Sequence, residues 1–318
     1  MDAVSLDHIT RTYEKGAVLA VDDVSFTVRK GELFGLIGPD GAGKTSIFRI
    51  LTTLLLADKG IASVAGYDVV KDCKTIRRIV GYMPGRFSLY QDLTVQENLE
   101  FFATLFGTTI DANYDLIKSI YEQIKPFSSR RAGKLSGGMK QKLALCCALI
   151  HKPEVLLLDE PTTGVDVVSR HEFWDMLKSL KKEGITILVS TPYMDEASLC
   201  ERIALMQGGR IMSVDTPENI IHAYPLKLYA ARSENIYKLL NDLRRADWIE
   251  QCFAFGEYLH FNFTFDDAGM PEELKAYVER LGHLRFEMKE ITPGIEDCFI
   301  RLMNEDKWLS EEQINAII

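Results

Sequence analysis

No stretch of this sequence approaches the roughly 20 consecutive apolar residues that an α-helix needs to cross a bilayer. Any membrane role is therefore expected to come through a separate subunit. Positive charge is also in deficit: 37 Lys and Arg stand against 46 Asp and Glu, a net charge of −9. That balance gives no general attraction to nucleic acid or anionic lipid, and no nucleic-acid partner is expected. The acidic N-terminus lacks the charge and apolar pattern of a secretory signal. The six cysteines, Cys73, Cys146, Cys147, Cys200, Cys252 and Cys298, include no C-x-x-C pair. They read as reduced core or near-core residues rather than disulfides or metal ligands. What is present is length: 318 residues can bury a full core and leave room for a second domain.

The chemistry begins at Gly38-Pro39-Asp40-Gly41-Ala42-Gly43-Lys44-Thr45, a complete G-x-x-x-x-G-K-[ST] loop followed by Ser46. An apolar strand over 32–37 precedes it, and a helix is expected from Lys44 to about Leu54. The glycines let the chain bend so that backbone N–H groups converge on phosphate oxygens, and the helix N-terminus adds partial positive charge. Lys44 is placed to reach the β- and γ-phosphates, and the Thr45 hydroxyl to ligate Mg²⁺. A nucleoside triphosphate is the expected ligand.

Residues 154–160 form a continuous apolar strand ending in Asp159 and Glu160, as suits the centre of a parallel sheet. Ligands in such sheets sit at the carboxyl ends of the strands, so Asp159 is expected near Mg²⁺ and Glu160 near an attacking water. A third segment, Leu135-Ser136-Gly137-Gly138-Met139, lies 91 residues after Lys44 and 24 before Asp159 and opens a helix over 140–150.

In this order and spacing the three segments resemble the ATP-binding-cassette family, and the resemblance runs from Val4 to Val214. It implies ATP and Mg²⁺ as cofactors and an α/β fold: a P-loop NTPase cassette with a mainly parallel sheet, an antiparallel β-subdomain and a helical subdomain. By the same resemblance Ser136, Gly137 and Gly138 bind the γ-phosphate of ATP held by a second cassette, and Tyr13, 31 residues before Lys44, stacks on adenine. Gly164-Val165-Asp166 is similar to the family's D-loop, and 87–99 to the segment that contacts the membrane subunit. The likeness is nearest to exporter cassettes for antibiotics, polysaccharides and lipids. It implies a transport-coupled ATPase, cytoplasmic and peripheral at the inner face of the membrane, with integral membrane permease subunits as partners.

Two departures bear on mechanism. Gly85 stands where the family has a Gln that touches Mg²⁺ and the attacking water, and Pro192 stands where it has a γ-phosphate-sensing His. Proline offers neither a side-chain donor nor an N–H. Loss of one preorganised transition-state contact typically costs about 10²–10³ in rate, so this chain's own site is expected to bind ATP and hydrolyse it slowly. Asp40, Met139 and Val167 also depart from the family's usual Asn, Gln and Pro. An asymmetric heterodimer follows as an expectation, this chain lending its intact signature to a competent partner. The intact Glu160 speaks against it. A slow homodimer and a nucleotide-responsive subunit without useful turnover are the alternatives.

Periodicity sets the organisation. The cassette is expected over 1–217, with antiparallel strands up to about residue 30 and a helical subdomain over about 86–150 whose core includes Phe101, Phe102 and Phe106. A strand over 185–191 and a hairpin around Gly208-Gly209 follow. Residues 218–303 read as a βαββαβ accessory domain of ferredoxin-like, split type, serving dimerisation or regulation. A tail over 304–318 carries a capping-box pattern, Ser310 to Gln313, for a last short helix.

Overall fold

Alternating burial along β1 (Asp2–Tyr13) and β2 (Val18–Arg29) folds them into an antiparallel pair, which β4 (Lys59–Val64) and β5 (Tyr67–Asp68) extend to a four-stranded sheet ordered β2-β1-β4-β5. The structure is a computed structural model that describes residues 2–265 and 267–305. The capping-box tail, Ser310 to Gln313, lies outside the described residues.

A second sheet carries the phosphate loop. β3 (Leu33–Ile37), β7 (Val155–Asp159) and β8 (Thr186–Thr191) are buried along their whole length, as central strands covered on both faces must be. With β6 (Val80–Met83), β9 (Arg202–Gln207) and β10 (Arg210–Asp215) they form the order β10-β9-β3-β8-β7-β6. Every pairing is parallel except the β9–β10 hairpin. That hairpin turns on Gly208 and Gly209, whose φ values of +54° and +83° suit a two-residue turn with both residues left-handed. Helices α1 (Lys44–Leu51), α2 (Cys73–Ile79) and α6 (Val167–Lys182) complete this part. α1 is shorter than expected, because Thr53 turns to a φ of +61° and the chain leaves the helix.

Between β6 and β7 lie α3 (Val95–Leu105), α4 (Tyr114–Ile124) and α5 (Gly137–Leu149). A capping box starts α3: Thr94 accepts from the Glu97 amide, and Glu97 accepts from the Thr94 amide. The core of these helices is Val95, Leu99 and Ala103 with Ile117, Ile120, Tyr121 and Ile124. The expectation that Phe101, Phe102 and Phe106 form that core is not met. Phe101 is 39% exposed and meets Tyr90 edge-on, while Phe102 and Phe106 line an apolar groove of about 500 Å³. Their helical spacing is right, but Leu99 and Ala103 take the inward face.

The compact unit that ends at Pro217 is followed by a second one from Glu218. After α7 (Pro217–His222) it runs β11 (Leu228–Arg232), α8 (Ile236–Arg244), β12 (Ile249–Phe255), β13 (Tyr258–Phe263), α9 (Met270–Arg280), β14 (Glu287–Ile291) and α10 (Ile295–Glu305). Its sheet order is β12-β13-β11-β14, antiparallel throughout. Leu239 and Leu243 of α8 and Leu274 and Val278 of α9 share a core with Leu259, Phe261 and Phe263. His260 alternates with those strand residues and meets Asp297 of α10 at 2.7 Å on the other face.

Candidate functional site

Between β3 and α1 each glycine has its own reason. Gly41 and Gly43 have φ of +79° and +108°, where a side chain is strained. Gly38 is required by space: a Cβ there would stand 2.1 Å from the Met206 carbonyl oxygen. Lys44 opens α1 with its side chain only 3% exposed. Its ammonium donates to the carbonyls of Gly38 (2.6 Å) and Pro39 (2.9 Å) and lies 3.1 Å from Glu160 Oε1. Two carbonyls and one carboxylate thus surround the ammonium. Asp40 lies exposed at the loop's outer edge.

Parallel pairing of β7 with β8 sets Asp159 opposite Ser190. The Ser190 hydroxyl donates to Asp159 Oδ1 at 2.8 Å, and the Thr45 hydroxyl reaches the same oxygen at 3.3 Å. Asp159 is 2% exposed, so these bonds hold a buried carboxylate beside the first turn of α1. Glu160 sits at a φ of +50°, fixed by its N–H bonding to the Ser190 carbonyl (3.1 Å) and hydroxyl (3.0 Å). Burial and the nearby Asp159 charge push the Tyr82 phenol up to about 12, so it stays protonated.

The two departing positions flank this pair of carboxylates. A Cβ on Gly85 would lie 3.2 Å from the Asp159 carbonyl oxygen and 3.8 Å from Glu160 Cβ. Pro192 follows the end of β8, two residues beyond Ser190. The loop it begins is held by buried Glu196, which accepts from Thr162 (3.1 Å), Thr191 (2.5 Å) and Arg170 (3.1 Å).

Tyr13 ends β1; its hydroxyl is 3.1 Å from the Ser46 hydroxyl, and the Arg11 guanidinium lies over its ring at 5.2 Å. Ser136 caps α5 by accepting from the Met139 amide. Gly137 and Gly138 therefore lie inside the helix rather than before it. A Cβ on Gly138 would fall 2.8 Å from the Ser169 hydroxyl of α6, which gives this glycine a packing role. Gly38, Pro39, Ala42, Gly43, Lys44, Thr45, Ser46, Tyr13, Asp159 and Glu160 thus lie on elements that meet at one end of the parallel sheet. Ser136, Gly137 and Gly138 open a separate helix, where a Cβ on Gly137 would face the Gly164 carbonyl oxygen at 3.4 Å and one on Gly138 the Ser169 hydroxyl of α6.

Sequence reading missed Ser190, Thr162, Glu196 and Arg170. Only strand register brings Ser190 to Asp159, and no local motif marks it. The donor set suits Mg²⁺: a hydroxyl and a buried carboxylate converge, both hard oxygen ligands. Among the described residues no cluster of three or more His, Cys, Asp or Glu forms a separate metal centre.

This geometry, a glycine-rich loop entering a helix beside a buried Asp-Glu pair, defines a P-loop nucleotide-binding protein. Comparison with known proteins narrows the class. The family described as ABC transporter matches residues 21–163. The Nod factor export ATP-binding protein I of Rhizobium sp. (strain N33) is 33% identical over 96% of this chain and 98% of its own length. The chain belongs to the ABC transporter family, as one of its ATP-binding cassettes. The probable multidrug ABC transporter ATP-binding protein YbhF of Escherichia coli (strain K12) is 38% identical over 94% of the chain, which spans only 51% of that relative. A solved ATP-binding subunit of an ABC transporter superposes with a TM-score of 0.63 at 27% identity, covering 70% of this chain and 93% of the other. A dimeric ATP-binding cassette in a post-hydrolysis state with ADP and Pi gives 0.61 at 25% identity, covering 67% and 98%. Among the described residues no helix is long and apolar enough to cross a membrane.

Proposed function

We propose that this chain binds Mg-ATP at its phosphate loop, against the Ser136-Gly137-Gly138 segment of a second cassette, and powers export through separate membrane subunits. The cassette acts from the cytoplasmic side. Related chains named for Nod factor export, multidrug transport and doxorubicin resistance support the direction of transport. Bound Mg²⁺ would offset the triphosphate's charge as the γ-phosphate leaves. Thr45 and Asp159 would hold the metal, Lys44 the phosphates, and Glu160 would orient the water and accept its proton. Tyr13 would stack on adenine. The 500 Å³ groove lined by Met83, Pro84, Phe102 and Phe106 would receive the membrane subunit, because it opens beside Gly85 and is apolar.

The chain's own site hydrolyses slowly in this reading, and the observation that carries it is the placement of Gly85 and Pro192 on either side of Asp159 and Glu160. Neither can supply the contact it replaces. The partner is then a different cassette with both contacts, served by this chain's signature. The intact Glu160, held by Lys44 and Ser190, favours a second reading, a homodimer with slow turnover.

Steady-state ATP turnover by the purified chain, beside Gly85→Gln/Pro192→His, tests the proposal. The expected result is negligible wild-type turnover and a gain of about tenfold or more in the double variant, a fraction of the 10²–10³ that one contact can supply. The gain is partial because the Asp159 carbonyl must yield to admit any side chain at 85. Brisk wild-type turnover would overturn the impaired site.

A further inference from the structure

Only one of the two ladders along β1 reaches Tyr13. β1 pairs with β2 as far as Tyr13↔Val18, but through register shifts at Ile9/Arg11 and again at Arg11/Thr12. On its other side β1 pairs with β4 only as far as Thr10↔Lys59. After Tyr13 the chain enters a tight turn in which Glu14 and Gly16 have φ of +51° and +99°. Strand pairing therefore holds the residue proposed to stack on adenine from the β2 side only, past two register shifts.

Asp58 takes over on the side where the pairing with β4 stops. Its N–H donates to the Thr10 carbonyl at 2.8 Å. Its Oδ2 accepts from the Thr12 amide (2.7 Å) and the Thr12 hydroxyl (2.8 Å), so a carboxylate oxygen stands where a partner strand's carbonyl would. Its Oδ1 accepts from Arg11 at 2.7 Å, and Arg11 also donates to the Leu56 carbonyl at 3.2 Å. Arg11 so anchored covers the Tyr13 ring at 5.2 Å, and Ser46 meets the ring's hydroxyl at 3.1 Å. One carboxylate thus fixes both the backbone entering Tyr13 and the cation on one face of its ring. The Thr12 bonds hold the Asp58 carboxyl below the usual carboxylate range, which keeps it an acceptor at neutral pH.

We propose that Asp58 is a positioning residue for the nucleotide base, holding the Tyr13 ring, through Thr12 and Arg11, in the place where adenine stacks. This rests on the reading of Tyr13 as the adenine platform. Asp58 touches no part of the ligand; it removes the ordering that binding would otherwise have to impose on a strand end.

The full chain's affinity for Mg-ATP and for Mg-tripolyphosphate, which has no base, separates the possibilities. Tyr13→Ala is expected to weaken Mg-ATP about tenfold, the scale of one lost base–aromatic stack, and to leave tripolyphosphate unchanged. Asp58→Ala should weaken Mg-ATP at least about threefold with tripolyphosphate held within about twofold, and should add nothing further in the Tyr13→Ala background. Asp58→Asn and Thr12→Val carry the same comparison if Asp58→Ala does not fold. A parallel loss of both ligands, or no loss of either, would overturn the inference, since a merely structural carboxylate predicts one of those. If Tyr13→Ala shifts the ratio and the Asp58 variants do not, this inference fails alone. If Tyr13→Ala leaves the ratio unchanged, the adenine platform is wrong and the inference falls with it.

Discussion

His151 shows how a single side chain is committed by its surroundings. It stacks on Phe106 at 3.8 Å, its Nε2 is 3.2 Å from the Val80 carbonyl oxygen, and its Nδ1 is buried without a partner. Burial is the larger influence and holds its pKa below 6.5, against the opposing bond to Val80. A base depressed in the folded state favours folding fully above its unfolded value, and that contribution is lost as pH falls below about 6.5. The unfolding temperature should therefore drop between pH 7.5 and 5.5 by more in the wild type than in His151→Phe; equal drops would refute the assignment. Candidate site residues were legible in unequal measure. Lys44, Thr45, Asp159 and Glu160 could be named because their motifs are local. Ser190, Glu196 and Asp58 could not, because each acts through a partner at least five residues away that only strand register or loop closure brings near.

At the scale of elements, the strands were the easiest to read. β3, β7 and β8 are unbroken apolar runs, and Gly208-Gly209 marks the β9–β10 hairpin without ambiguity. Helix ends and faces were harder. α5 begins at Gly137 rather than near Lys140, because Ser136 caps it and tolerates two glycines in the first turn. The face of α3 was misread, since Leu99 and Phe102 fit a helical period equally well and only packing against α4 and α5 decides between them. The crossing of α5 and α6 at Gly138 and Ser169 makes a prediction of its own. Gly138→Ala places a Cβ 2.8 Å from the Ser169 hydroxyl, an overpacking that typically costs about 1–3 kcal/mol and outweighs the roughly 1 kcal/mol gained in helix propensity. Thermal unfolding should show Gly138→Ala destabilised, and Gly138→Ala/Ser169→Gly restored. A single variant as stable as the wild type would show the contact to be slack.

For the whole molecule, all the residues proposed to bind nucleotide lie in the unit that ends at Pro217, and the second unit has a core of its own. Mg-ATP at about a hundred times its dissociation constant should stabilise the folded first unit by about 2.7 kcal/mol. Amide exchange should accordingly slow across the sheet of β3, β7 and β8 and be much less affected in β11–β14. Lys44→Ala should abolish the difference, and equal protection of both units in the wild type would contradict it. The βαββαβ order of the second unit followed from its alternating strands, whereas its strand order, with β11 between β13 and β14, is a matter of chain crossing that no local pattern encodes.

The grip on Lys44 has a wider consequence. Its ammonium donates to two backbone carbonyls and pairs with Glu160 at 3.1 Å. On the proposed function, a phosphate drawn to that ammonium shares or contests it with a carboxylate already beside it. That carboxylate is the group proposed to activate water. The pull on the phosphates and the setting of the base would then share one cation, so that no change at Lys44 could touch the one without the other.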